Sequence, residues 1–180
     1  CYSIDQDAQG NIWVGRRHGG VTVFNPADRS FRSFRADGPN QMIQSDYVHT
    51  IERGPDGKMF VSSDNGLDLI DLYETSIRKN IISDKADFQN LKYQSGDISY
   101  DSLRQRLYIP FYNYGIKLFD LQTRSFADVV LETSKAMAHS IFYEDGQQSY
   151  IGYKKNLFPV VWGADSMIIT HKPLLADTVT

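Results

Sequence analysis

Three short clusters carry the side chains best suited to recognition chemistry: Arg16-Arg17-His18, Asp64-Asn65 and Tyr112-Asn113-Tyr114. Tyrosine rings stack on the flat faces of sugars, while Arg, Asp and Asn offer planar or bidentate hydrogen bonds to hydroxyls and carboxylates. The same residue types also serve tight polar turns, so composition alone does not separate binding from turn geometry. What decides between the two is whether the fold brings these clusters to one edge.

The elements that must do so begin in the stretch SIDQDAQGNIWVGRRHGGVTVFNP, from Ser3 to Pro26. It reads as strand, turn, strand, turn, strand, with turn residues at Asp7-Ala8-Gln9-Gly10-Asn11 and at His18-Gly19-Gly20. Glycine suits such turns because a residue with a Cβ resists φ > 0. The pattern recurs: Gly57 follows Gly10 by 47 residues, Ile51 pairs with Ile4, Phe60 with Trp13, Gly66 with Gly20 and Ile70 with Phe24. A third copy runs from Asp97 to Leu121, with Ile98 and Leu107 each 47 after Ile51 and Phe60, and Gly115 in the hairpin place. A looser fourth contains Ile141, Asp145-Gly146, Tyr150 to Tyr153 and Phe158 to Trp162.

Each copy ends in another apolar-polar run: Phe31 to Phe34, Ser76-Ile77-Arg78, Ser125-Phe126-Ala127 and Met167-Ile168-Ile169. Four short antiparallel strands per repeat, with no sustained helical period, predict an all-β chain: a β-propeller of four-stranded antiparallel blades. A plain β-sandwich would not repeat its turn glycine at this step. The blades fall at about 2–47, 48–94, 95–137 and 138–172.

This architecture places the second-to-third-strand tips and the connections between blades on one rim, where loops of several blades converge. The tips are Arg16-Arg17-His18, Ser63-Asp64-Asn65, Tyr112-Asn113-Tyr114 and Lys154-Lys155-Asn156. The connections run from Asp37 to Tyr47, from about Ile82 to Gln94 and from Thr133 to Ala138. Ligand-binding candidates are therefore Arg16, Arg17, His18, Asp64, Asn65, Tyr112, Asn113 and Tyr114, although strand alternation also allows Tyr112 a place in the core.

Other residues invite chemistry and are better explained by structure. Trp13 sits mid-strand where the other repeats have Phe60, Leu107 and Tyr150, which share only size and hydrophobicity, so it belongs to the core. His49 and His139 occupy one repeat position near the axis, but Tyr2 and Gly96 stand there in the other copies, which argues for structural histidines and no metal. Asp5, Asp7 and Gly10 look superficially like a calcium loop, yet the next repeat offers Glu52, Gly54 and Gly57 and no later bidentate acid. Asp7 is expected to cap its turn. Hydrolysis would need converging carboxylates, for which Asp46 and Asp64 are the candidates, and no nucleophile elbow, phosphate-binding glycine loop or paired-histidine motif is present. No catalytic residue and no cofactor are expected.

Composition narrows the partners. The 180 residues carry a net charge of −3 and a pI near 5.8, which offers no field for a phosphate backbone, so nucleic acid is not expected. No apolar run approaches the roughly 18 to 20 residues that span a bilayer. The one cysteine, Cys1, excludes an internal disulfide. It is read as a chain boundary rather than a lipidated residue, because the repeat starts at about Tyr2 and leaves no tether.

The string IDQDAQGNIWVGRRHGGVTVFNP resembles the two-component regulator propeller repeat, roughly I-x-x-D-x-x-G-x-I-W-x-G-T-x-x-G-G-L-x-x-F. Asp7, Gly10, Trp13, Gly15, Gly19 and Gly20 match, while Arg16 stands at the usual threonine. The second copy keeps Asp56-Gly57 and Asn65-Gly66 but has Phe60 for the tryptophan and Ser62 for the glycine; the third keeps mainly Tyr114-Gly115. The resemblance implies the periplasmic sensor region of a hybrid two-component histidine kinase of Bacteroidetes, whose propellers usually hold about seven blades. It further implies that about four blades of a larger propeller are present here, with a compact four-bladed ring as the alternative. Such a region binds a small ligand, an oligosaccharide fragment, commonly as a homodimer, and signals to a kinase outside this chain. A scaffold for protein-protein interaction, or a propeller lyase or glycoside hydrolase, are the alternatives.

Overall fold

Each repeat forms one four-stranded antiparallel sheet in the computed structural model, which describes residues 2–37, 43–73, 78–83, 94, 97–111, 115–129, 138–144, 148–153, 156–162 and 167–169. The first sheet is β1 (Ser3–Gln6), β2 (Ile12–Arg16), β3 (Gly20–Asn25) and β4 (Ser30–Phe34), adjacent in chain order. The second is β5 (Val48–Arg53), β6 (Met59–Ser63), β7 (Gly66–Ile70) and β8 (Arg78–Ser83). The third holds β9 (Ser99–Asp101), β10 (Arg106–Phe111), β11 (Gly115–Asp120) and β12 (Ser125–Val129). The fourth holds β13 (Ala138–Glu144), β14 (Gln148–Tyr153), β15 (Asn156–Trp162) and β16 (Met167–Ile169). Such four-stranded meanders are the blades of a β-propeller, as the sequence period predicts. The chain divides into two compact units, Cys1–Lys92 with the first two blades and Tyr93–Thr180 with the last two.

The turns show why the period is written in the sequence. Asp7 caps the first turn as expected: Oδ1 accepts from the Gln9 and Asn11 amides at 3.0 and 2.9 Å, and Oδ2 from Asn11 Nδ2 and Trp13 Nε1, both at 2.8 Å. Two periods later, buried Asp101 accepts from the Leu103 and Arg104 amides and from the Arg104 guanidinium. Between them stands Gly54, where a Cβ would come within 3.0 Å of the Phe60 ring. In the first blade the acid therefore serves both the turn and the indole N–H, in the third it serves the turn and Arg104, and in the second a glycine stands where the Phe60 ring, which has nothing to donate, approaches closely. The third-to-fourth-strand turns repeat in the same way, with the side chains of Asn25, Asp71 and Asp120 each accepting the amide two residues on.

In the first unit the core is shared by both blades. Trp13, Val21, Val23 and Phe34 of the first blade and Val48, Ile51, Met59, Val61 and Ile70 of the second form one buried cluster with Ile43. Trp13 is 1% exposed and stacks on Phe34 at 5.8 Å, which confirms its place in the core. Burying a side chain of this size stabilises by about 1.5–3 kcal/mol. A polar tie runs between the blades as well: the hydroxyl of buried Ser3 accepts from the Ile51 amide at 2.9 Å. In the second unit, Pro110 in the second strand of its blade and Pro159 in the third strand of the next each pair with one neighbouring strand only, at Ile116 and Tyr150 respectively.

Ile4 and Ile51 hold equivalent places, opposite Val14 and Val61 on the neighbouring strands; Ile51 packs against the first blade near Gly15 and is buried, while Ile4, on the face away from the second blade, is 65% exposed. One expectation needs correction. The last strand of the second blade is Arg78–Ser83, not Ser76-Ile77-Arg78, so Ile82 lies in that strand and not in the following connection. Ile70 pairs with Arg78 and the strand carries Ile81 into the core, whereas Asp71-Leu72 imitates the four-residue turn after Asp120. Burial of Ile81 outweighs the local turn pattern.

Candidate functional site

The tips of the first two blades meet the connection between them. That connection lies along both hairpins: Gly20 donates to the Asp46 carbonyl at 3.0 Å, and Asp64 donates to the Tyr47 carbonyl at 3.1 Å. Tyr47 is thereby held beside the tips, with its own amide bonded to Ser45 Oγ at 3.1 Å.

Arg17 is the centre of what gathers there. Its guanidinium carbon lies 4.9 Å from the Tyr47 ring centroid and 5.6 Å from that of Tyr2, and Nη1 donates to the Tyr2 hydroxyl at 3.0 Å. Tyr2 and Tyr47 are themselves 6.5 Å apart, and His18 meets Tyr47 edge-on at 5.1 Å. Arg17, His18 and Tyr2 are exposed and Tyr47 is half-buried. The two tyrosines hold the Arg17 pKa above its ordinary value, through charge interaction first with Tyr2 and then with Tyr47, so the group is a permanent cation.

Beside Tyr47, at 5.3 Å, lies His49, whose Nε2 is 2.8 Å from Asp64 Oδ1. The β5 ladder shifts register between Val48 and Thr50, and this irregularity at His49 is the kind that re-aims a side chain. Burial lowers the His49 pKa, the Asp64 carboxylate opposes that, and Arg17 adds to the lowering. At neutral pH the imidazole is therefore uncharged.

Of the predicted rim residues, Arg17, His18 and Asp64 come together. Arg16 does not join them: it donates to the Gly19 carbonyl at 2.9 Å and Thr22 Oγ1 at 2.7 Å, closing its own hairpin. Asn65 donates to the Gln44 carbonyl at 3.3 Å and so braces the connection. Tyr112, Asn113 and Tyr114 lie outside the described residues. Asp46 is held by Arg35 at 2.7 Å and by the Ala36 amide at 2.8 Å, and Asp64 by His49, so each acid has its own partner. Among the described residues, no three His, Cys, Asp or Glu side chains gather as metal ligands do.

Sequence reasoning missed Tyr2, Tyr47 and His49 as members of this cluster. One signal was available: Tyr2 and Arg17 stand 47 residues before His49 and Asp64. Both pairs close a bond between the start of the inner strand and the hairpin tip of the same blade.

No protein-family model matches the chain, and no curated protein sequence does. Solved structures do match in fold. The extracellular domain of the hybrid two-component system BT4673 from B. thetaiotaomicron superposes with a TM-score of 0.70 over 98% of this chain and 22% of its own, at 15% identity. That of BT3049 from the same organism gives 0.65 over 92% of this chain and 24% of its own, at 19% identity. An inactive variant of virginiamycin B lyase from Staphylococcus aureus, solved with quinupristin, gives 0.66 over 93% of this chain and 54% of its own, at 14% identity. The chain spans less than a quarter of the two sensor domains. It has the β-propeller fold and is similar in that fold to extracellular sensor domains of hybrid two-component systems.

Proposed function

We propose that this chain is part of the extracytoplasmic, periplasmic sensor propeller of a membrane-bound hybrid two-component histidine kinase, and that it binds a glycan fragment at the rim formed by Arg17, Tyr2, Tyr47, His18, His49 and Asp64. The observation that carries this reading is the guanidinium of Arg17 held against two tyrosine rings on an exposed rim. Aromatic faces beside fixed planar hydrogen-bonding groups suit a pyranose, with apolar C–H patches on its faces and hydroxyls at its edge. The fold likeness to two-component sensor domains supports the signalling role, and no helix among the described residues is long and apolar enough to cross a membrane.

Binding would bias two arrangements of the sensor, in a homodimer, by the difference in ligand affinity between them. The test is a glycan array followed by titration calorimetry on the hits. Saccharide binding that Tyr47→Ala weakens by about tenfold, a loss of about 1.4 kcal/mol, is the expected result. Absence of any saccharide binding, or binding untouched by Tyr47→Ala, would remove the reading.

A further inference from the structure

The two blades build the same rim position in opposite ways. In the second blade the tip residue is Asp64 and the strand residue His49, and the two satisfy each other at 2.8 Å. In the first blade the equivalent pair is Arg17 and Tyr2, in which a cation bonds to a neutral hydroxyl. The second pair joins a carboxylate to an uncharged imidazole; the first joins a guanidinium to a neutral hydroxyl and makes no ion pair among the described residues.

The other arginines have different surroundings. Arg35 pairs with Asp37 and Asp46, Arg104 with Asp101 and Arg106 with Asp120. Arg32 and Arg53 donate to the backbone carbonyls of Leu72 and Gln6. Arg17 alone among these has rings and a phenol for company; like Arg16, Arg32 and Arg53 it makes no ion pair among the described residues, but it alone is held against aromatic faces on the exposed rim. Asp64, the acid at the neighbouring tip, engages His49 instead of Arg17.

A guanidinium fixed by two rings and one hydroxyl is pre-organised, so little rotamer freedom remains to be lost when its exposed N–H groups meet an acceptor. The acceptor that matches a planar fork best is an oxyanion with paired oxygens. A neutral hydroxyl would leave the charge unanswered.

We propose that the Arg17 cluster takes its ligand through an anionic group, a carboxylate or a sulfate borne on a sugar, and so selects acidic over neutral saccharides. This rests on the reading of the rim as a saccharide site and specifies the class of sugar. The test uses an array of neutral, uronic-acid and sulfated glycans, with calorimetry on trigalacturonate for the carboxylate, galactose 6-sulfate for the sulfate and galactotriose as the neutral reference. Acidic hits are expected, with Arg17→Gln weakening them by about tenfold to a hundredfold, the range of a charged hydrogen bond. Unchanged circular dichroism would show that Arg17→Gln, at an exposed position, still folds. Neutral saccharides that bind as well as acidic ones, or are weakened equally by Arg17→Gln, would overturn this inference and leave the saccharide reading standing. An array without any saccharide hit would overturn both.

Discussion

The indole N–H of Trp13 donates to Oδ2 of Asp7 at 2.8 Å, and both side chains are buried. One carboxylate thus ties the first turn to the core aromatic. Asp7→Ala would orphan this donor together with the Asn11 and Gln9 amides, and should lower stability by about 3 kcal/mol as a urea midpoint shift at constant slope. The second blade has Gly54 and Phe60 at these places, so Asp7→Gly combined with Trp13→Phe should cost less than the sum of the single changes. Strict additivity would show that the two residues are not coupled.

Gly20 has φ +61°, and a Cβ there would collide with the Phe34 carbonyl oxygen. Gly10 has φ +88°, but its nearest neighbour for a Cβ is Gln6 Nε2 at 3.6 Å. Both alanine variants carry backbone strain of about 1 kcal/mol, and Gly20→Ala adds a backbone clash that should raise its cost to about 2 kcal/mol or more. Thermal unfolding that ranks the two equally would contradict this account of the hairpin.

Ser3 Oγ accepts the Ile51 amide across the blade interface at 2.9 Å. Ser3→Ala leaves that buried amide without its acceptor and should cost about 1–3 kcal/mol, against a few tenths for an exposed serine such as Ser30. Equal stabilities for the two alanine variants would show that water or a shift of β5 replaces the tie.

His49 is held neutral by burial, so its folded pKa lies below the unfolded value of about 6.5. Below that pH the unfolded chain binds the proton more readily than the folded one, and stability falls as pH drops from about 6.5 toward the folded pKa. Urea denaturation between about pH 7.5 and pH 5 should show this fall, and His49→Gln should reduce it. A pH profile unaffected by the substitution would place the acid sensitivity elsewhere.

Local chemistry made much of the chain legible in advance. The turn acid at Asp7, the aromatic at Trp13 and the hairpin glycine at Gly20 each depend on residues within one or two strands, so their period exposes the blade before any long-range contact is known. The same locality misled at Asp71-Leu72, where a turn motif repeats but burial of Ile81 sets the strand further on.

The amino-acid sequence by itself determined an all-β chain of repeated four-stranded blades, because strand alternation and turn chemistry act over a few residues and recur at a step of 47. Only the tertiary structure decided which rim residues meet. Arg17 and Tyr47 are thirty residues apart, and their rings and charge are brought within 4.9 Å by two backbone bonds that lay the connection across both hairpin tips. His49 turns to Asp64 at an irregularity in the β5 ladder, a feature that no alternation pattern encodes. The composition of the rim was therefore readable from residue types, while its grouping required the packing of one blade against the next.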